Sequence, residues 1–283
     1  MKQTCYLKPT VTALNALNDM LWFNRFNGHE VRGLIAAKVG QSSQQLTQDC
    51  FPDNPFAVRF NVSLADVLKQ GSQHDEMLFR VVYGCSYEYF LRHCERMEEL
   101  LRTCGNKPWC LSKKEESAGP KAPEDRFEWI LSRHGQPVMD SRHTWTASYA
   151  RLRRHQYFHA ADSTWSKMNN LLATRGADLN RLWSDQKMVN RVDFTQDGLS
   201  GCPVEEAVGL LRMLRILTLE IDAHTIGLLD REKMVLHSLR HWIAGEESHG
   251  QKAGPGRVSR MVTRFRSELG IGLRREDVES MMP

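Results

Sequence analysis

Apolar residues recur at three- and four-residue spacing along most of this chain, the period of helices with one side turned to a core. In residues 10–24, Leu14, Leu17, Leu21 and Trp22 share a side, with Thr10 or Thr12 as the cap. Residues 28–60 show no clear period, and 57–62 carry the one alternating, strand-like pattern. Ser63 opens a short helix over 64–70 that Gly71 stops. Residues 75–103 are strongly periodic through Leu78, Val82, Cys85, Tyr89, Met97 and Leu101, and Gly105 and Pro108 mark the exit. The polar, Pro-, Gly- and Lys-rich stretch 112–125 reads as a mobile loop. Helices resume over 125–133, stopped by Gly135 and Pro137, and over 141–159. Trp165, Leu171, Leu179 and Trp183 mixed with polar residues predict short helices or turns in 160–200. Pro203 then opens one long helix that continues to Trp242, with Glu205 and Glu206 in its first turn, where the helix dipole favours acids. Val208, Leu211, Leu214, Leu217, Ile221 and Leu228 form its apolar side, opposite Arg212, Arg215 and Asp222. A last basic helix follows at 258–269.

The expectation is an all-α protein: an N-terminal extension, partly helical, over 1–74, a helical bundle over 75–243, and a basic C-terminal tail over 244–283. With 41% hydrophobic and 25% charged residues, the 283-residue chain can bury a core, which excludes disorder throughout. The N-terminus MKQTCYLKPT lacks the apolar stretch of a secretory signal. No run approaches the ~18 apolar residues of a spanning helix, so no membrane partner and a cytoplasmic location are expected. Seven cysteines (Cys5, Cys50, Cys85, Cys94, Cys104, Cys110 and Cys202) without a CxxC pair read as reduced thiols, several of them buried. The formal charge of +4 is too mild to identify a nucleic-acid partner. Its distribution says more, because 26 of the 38 basic residues are Arg and they concentrate in 151–154 and 257–275. The second cluster reads as a solvated basic helix, and the first as a solvated run or a phosphate patch.

The stretch ARLRRHQYFHAAD (150–162) carries the candidate chemistry. Arg154 is followed at once by the polar His155, and His159 stands five residues on. This resembles the signature of the HEPN family of small helical nucleases: Arg, four to six residues, then His, often with a polar residue directly after the Arg. Arg153–His159 and Arg231–His237 also satisfy the spacing, but Arg231–His237 lies late in its helix and lacks the surrounding context. That context, over 75–243, is a set of amphipathic helices before the motif, a turn-rich exit through GADLNRLWSD (176–185) and VDF (192–194), and a long apolar helix after it.

The resemblance implies a HEPN-like bundle and a metal-independent endoribonuclease, a toxin or defence effector. RNA supplies its own nucleophile, the 2′-hydroxyl. A histidine near neutral pKa moves the proton, and an arginine stabilises charge on the phosphoryl oxygens. The expected catalytic residues are therefore Arg154, His159 and His155, the last orienting one of the others, and no cofactor is expected. Five positions on a helix turn the side chain by about 140°, so Arg154 and His159 diverge. The family's solution, a shared cleft between two protomers, implies a homodimer. RNA is the implied partner, and a toxin implies a regulatory or antitoxin protein besides. The alternative is a non-catalytic HEPN-like module for dimerisation or nucleic-acid binding. His155, His159 and Asp162 stand at zinc-like spacing but lack the intervening Glu of HExxH and an evident third ligand. His93, Cys94, Cys104 and Cys110 match no recognised finger spacing, so no metal is expected. Trp145, Tyr149, Tyr157, Phe158 and Trp165 read as core.

Overall fold

A computed structural model of the chain describes residues 1–39, 44–109, 111–134, 140–158, 162–185, 192–195, 203–248 and 256–282. Among these residues the chain is all-α, with isolated bridges at Leu46–Ser63 and Gly105–Leu229 and no strands. In chain order the helices are α1 (Leu7–Val39), α2 (Thr47–Cys50), α3 (Pro55–Phe60), α4 (Leu64–Cys104), α5 (Lys113–Ala118) and α6 (Pro123–Arg133). They continue with α7 (Ser141–Phe158), α8 (Asp162–Asp185), α9 (Val204–Ile226), α10 (Arg231–Ser248), α11 (Arg257–Arg264) and α12 (Arg275–Met281). A π-helical turn, Phe265–Leu269, directly continues α11. No described helix is long and apolar enough to cross a membrane. Gly135, Pro137, Cys110, Cys202 and His159 lie outside the described residues.

Several elements depart from the sequence pattern for identifiable reasons. Gly71 does not stop a helix at residue 70. Instead α4 runs through it, because the Arg32 side chain packs 3.5 Å from where a Cβ would stand and is fixed by Asp75 at 2.8 Å. Tertiary contact thus overrides the cost of a mid-helix glycine, about 1 kcal/mol relative to alanine. The strand-like residues 57–62 lie largely in helix α3: Asn54 accepts from the Phe56 amide at 3.0 Å, Pro55 begins the first turn, and Asn61 ends it at φ 30°. The expected loop 112–125 contains a capped helix, α5. Ser112 and Glu115 form a capping box, and Glu116 accepts from Trp109 at 2.6 Å and from Arg102 at 2.8 Å.

Residues 162–185 form one 24-residue helix, not short pieces. The backbone carbonyl of Phe194 approaches to 2.3 Å from where a Cβ of Gly176 would sit, and Asn180 accepts from the Phe194 amide at 3.2 Å. Gly176 therefore permits a close packing of the VDF segment on α8 rather than breaking the helix. The helix expected to run from 203 to 242 is divided at 227–230. There Asp230 caps α10 through the amides of Glu232 (2.9 Å) and Lys233 (3.0 Å). The backbone of Asn106 donates to Leu228 at 2.8 Å and that of Asp230 to Cys104 at 2.7 Å, so the break is pinned to the end of α4.

The chain forms two compact units, neither contiguous in sequence: Met1–Leu14 with Tyr87–Leu152 and Arg212–Pro283, and Asn15–Ser86 with Arg153–Leu211. In the first, Phe90, Met97, Leu100, Phe127, Tyr149, Leu214 and Met234 are buried. The expected solvated basic helix near the C-terminus belongs to this core through Met261, Phe265 and Leu269, while Lys2 donates to the Leu269 carbonyl at 2.8 Å. In the second unit the core is formed by Leu21, Leu64, Phe79, Tyr83, Met168, Leu179, Trp183 and Phe194.

Candidate functional site

Asp140 directly precedes helix α7, and its carboxylate takes the Arg142 amide and guanidinium; that side chain, aided by the backbone bond, holds the acid down to about 2. Tyr149, Ala150 and Leu152 then turn into the first unit's core. The last turns of α7 belong to the second unit and carry the arginine cluster.

The arginines of this cluster are not equivalent. Arg153 is 1% exposed, not part of a solvated run. Its Nε donates to Glu206 at 2.6 Å and its Nη2 to the other carboxylate oxygen at 2.8 Å, a bidentate pair joining α7 to α9. Its Nη1 reaches Gln156 at 3.1 Å, and its guanidinium lies 4.6 Å from the Tyr157 ring centre. Arg154, one residue on, is half-buried, and its guanidinium lies 6.0 Å from the ring centre of the exposed Phe158. His155 is also half-buried on this last turn. The structure therefore places Arg154 and His155 together at the end of α7, and the position of His159 falls beyond the described part of that helix.

The same turn borders a small cleft of about 270 Å³. Gln73, Glu76, Met77, Arg80 and Val81 of α4 form one wall, and Tyr157 and Phe158 of α7 the other. Arg80 stands over Tyr157 at 5.4 Å from its centre, with Tyr83 edge-on to the same ring at 5.8 Å. Phe158 fits against α4 because residue 84 is glycine: a Cβ there would lie 2.8 Å from the Phe158 ring. Of the aromatics expected in the core, Tyr149 is fully buried, whereas Phe158 and Trp165 are exposed. Arginine beside accessible aromatic rings suits stacked, single-stranded bases with nearby phosphates.

The Arg231–His237 pair stands in the first two turns of α10, not late in a helix. The Nε2 atom of His237 is hydrogen-bonded to the Tyr6 hydroxyl at 2.9 Å, and desolvation lowers its pKa. Two further groups escaped the sequence reading. Glu206 looked like an ordinary first-turn acid, although it anchors Arg153. Asp222, read onto the polar side of its helix, is 1% exposed and accepts from both the backbone and hydroxyl of Thr4. Burial raises its pKa to about 6 against the opposing effect of those bonds. His93, 3.8 Å from Asp222, is lowered to about 3 by burial and then by the Arg96 charge. No sequence spacing could have joined residues 4, 93 and 222. No family model, curated protein or solved structure matches this chain, so the site stands on its own geometry.

Proposed function

We propose that this protein is a metal-independent endoribonuclease of the HEPN type, acting as a homodimer, with Arg154, His155 and His159 in its site. One observation carries the choice among the three Arg–His spacings. Arg153 is buried against Glu206 and His237 is hydrogen-bonded to Tyr6, whereas Arg154 differs in exposure, standing half-exposed near the Phe158 ring. The mechanism needs a cation that can reach a phosphate, which a buried carboxylate-bound arginine does not supply.

In this reading the RNA 2′-oxygen forms a bond to phosphorus as the bond to the 5′-oxygen breaks. His159 takes the 2′-hydroxyl proton or gives one to the leaving oxygen, Arg154 balances the phosphoryl charge, and His155 orients one of them. The products are a 2′,3′-cyclic phosphate and a 5′-hydroxyl. The toxin or defence role, and with it a restraining regulatory or antitoxin protein, rests on the family resemblance alone.

The test is cleavage of a labelled RNA pool in EDTA by wild-type, Arg154→Ala and His159→Ala proteins purified in parallel. Cleavage by the wild type alone, ending in cyclic phosphate, is expected. Equal decay with wild-type and His159→Ala protein overturns the proposal.

The second reading, a non-catalytic helical interaction module, is favoured by α1, where Trp22, Phe23, Phe26 and Leu34 are 48–66% exposed. For that reading, binding without cleavage, unchanged in His159→Ala, is the expected result.

A further inference from the structure

In the unit built from residues 1–14, 87–152 and 212–283, α10 and α11 line a cavity of about 670 Å³, within the ~300–1,000 Å³ of small-molecule sites. Helix α10 contributes His241, Trp242, Gly245 and Glu246. Helix α11 contributes Ser259, Arg260, Thr263 and Arg264. On each helix these residues stand at i, i+1, i+4 and i+5, so each presents one face to the cavity.

The chemistry of the two faces is complementary. The α10 face is aromatic: the His241 ring meets Tyr6 edge-on at 4.8 Å, and Trp242 is braced by Phe265 at 4.9 Å. The α11 face is cationic. Arg264 lies over Trp242 at 4.7 Å from its centre, and the Arg260 side chain is 49% exposed. The acidic lining residue, Glu246, is engaged by Arg257 at 3.1 Å as well as by Arg260 at 3.5 Å, and Arg264 stands 3.6 Å from Glu268 on its own helix face. Desolvation, followed by the charges of His237, Arg96 and Arg264, lowers the pKa of His241, with Glu99 opposing them more weakly. His241 therefore sits where cations prevail and presents a neutral ring at physiological pH. The π-helical turn that follows Arg264 carries Phe265 behind Trp242, and such turns occur frequently at functional sites.

The geometry points to a mononucleotide site built from residues other than those of the α7 motif. Its phosphate is held by the guanidinium forks of Arg260 and Arg264, and its base lies against the exposed ring of His241, with the buried Trp242 beneath Arg264 as the floor. The planar forks match phosphate oxygens, and the exposed His241 ring gives the base a stacking surface that a bare anion would leave unused. The open position at Gly245 admits the ligand, since a Cβ there would meet no atom within 4 Å.

That open position supplies a clean perturbation. The Cβ of Gly245→Leu meets no atom within 4 Å and the residue favours the helix, so a Tm at or above the wild-type value is expected and is checked by thermal unfolding. Titration calorimetry of the full chain with AMP, GMP, adenosine and inorganic phosphate is the experiment. AMP or GMP should bind more tightly than adenosine or phosphate. Gly245→Leu and Arg260→Ala should each weaken that binding by about tenfold or more, corresponding to about 1.4 kcal/mol. His159→Ala should leave it unchanged, which separates this proposal from the nuclease reading. Absence of AMP and GMP binding at millimolar concentration, or binding insensitive to both variants, overturns the proposal. Phosphate binding as tight as AMP overturns the nucleotide assignment.

Discussion

Removing the Glu206 carboxylate should be among the most damaging single changes outside the apolar core. Glu206→Ala leaves the Arg153 guanidinium, 1% exposed, without the two bonds at 2.6 and 2.8 Å that balance its charge. Gln156 and the Tyr157 ring remain near it. Breaking one side of a buried pair costs about 3–5 kcal/mol, because the surviving charge remains desolvated. For a chain of this size each kcal/mol lowers Tm by about 2–4 °C, so a drop of roughly 6–20 °C is expected. The exposed i,i+4 pair Arg275–Glu279, with side chains 64% and 48% exposed, provides the control. Arg275→Ala should cost no more than about 0.5 kcal/mol. Arg153→Met combined with Glu206→Leu should recover most of the loss, since both charges of the pair are then removed. Thermal and urea unfolding followed by tryptophan fluorescence measure all four proteins. If Glu206→Ala falls within about 1 kcal/mol of the Arg275 control, the pair is solvated in solution and Arg153 is as accessible as Arg154. The choice of Arg154 as the phosphate-facing arginine would then lose its basis.

Two glycines should respond in opposite directions. Gly176→Ala places a Cβ 2.3 Å from the Phe194 carbonyl and should cost about 1–3 kcal/mol, whereas Gly33→Ala meets nothing within 4 Å and should gain about 0.5–1 kcal/mol. Equal Tm shifts for the two would refute the close packing of residue 194 on α8. Asp222 links stability to pH: its folded pKa, raised by burial to about 6, makes its contribution complete below its ordinary value of 3.8 and lost as pH rises through about 6. The two-unit shift corresponds to about 3 kcal/mol, so Asp222→Asn should gain on the wild type by that order between pH 4 and 7. A constant difference across that range would count against the assignment. The neighbouring His93, held at about 3, acts in the opposite sense in both proteins, which is why the difference between them is the readout.

Helix spacing sufficed for the all-α class because apolar periodicity is a local property, and most residues of 75–103, 125–133 and 141–158 lie in helices as their patterns imply. Caps were legible where their partners are near in sequence, as at Ser63 and at the exit through Gly105. Breakers misled where a distant group altered their cost. Gly71 is packed by Arg32, Gly176 makes room for Phe194, and the helix division at 227–230 is fixed by backbone bonds to Cys104 and Asn106. The Arg–His spacing was likewise visible in the sequence, but it gave three choices that the sequence pattern alone could not rank by environment. Burial against Glu206, 53 positions away, removed Arg153 from the surface, and Tyr6, 231 positions away, engaged His237. The cavity between α10 and α11 had no sequence signature either, since its lining repeats matter only once two helix faces meet. Sequence alone determined the helical periodicity and the chemical types at the end of α7. Tertiary structure decided which charges are desolvated, because desolvation depends on neighbours that folding brings from far along the chain.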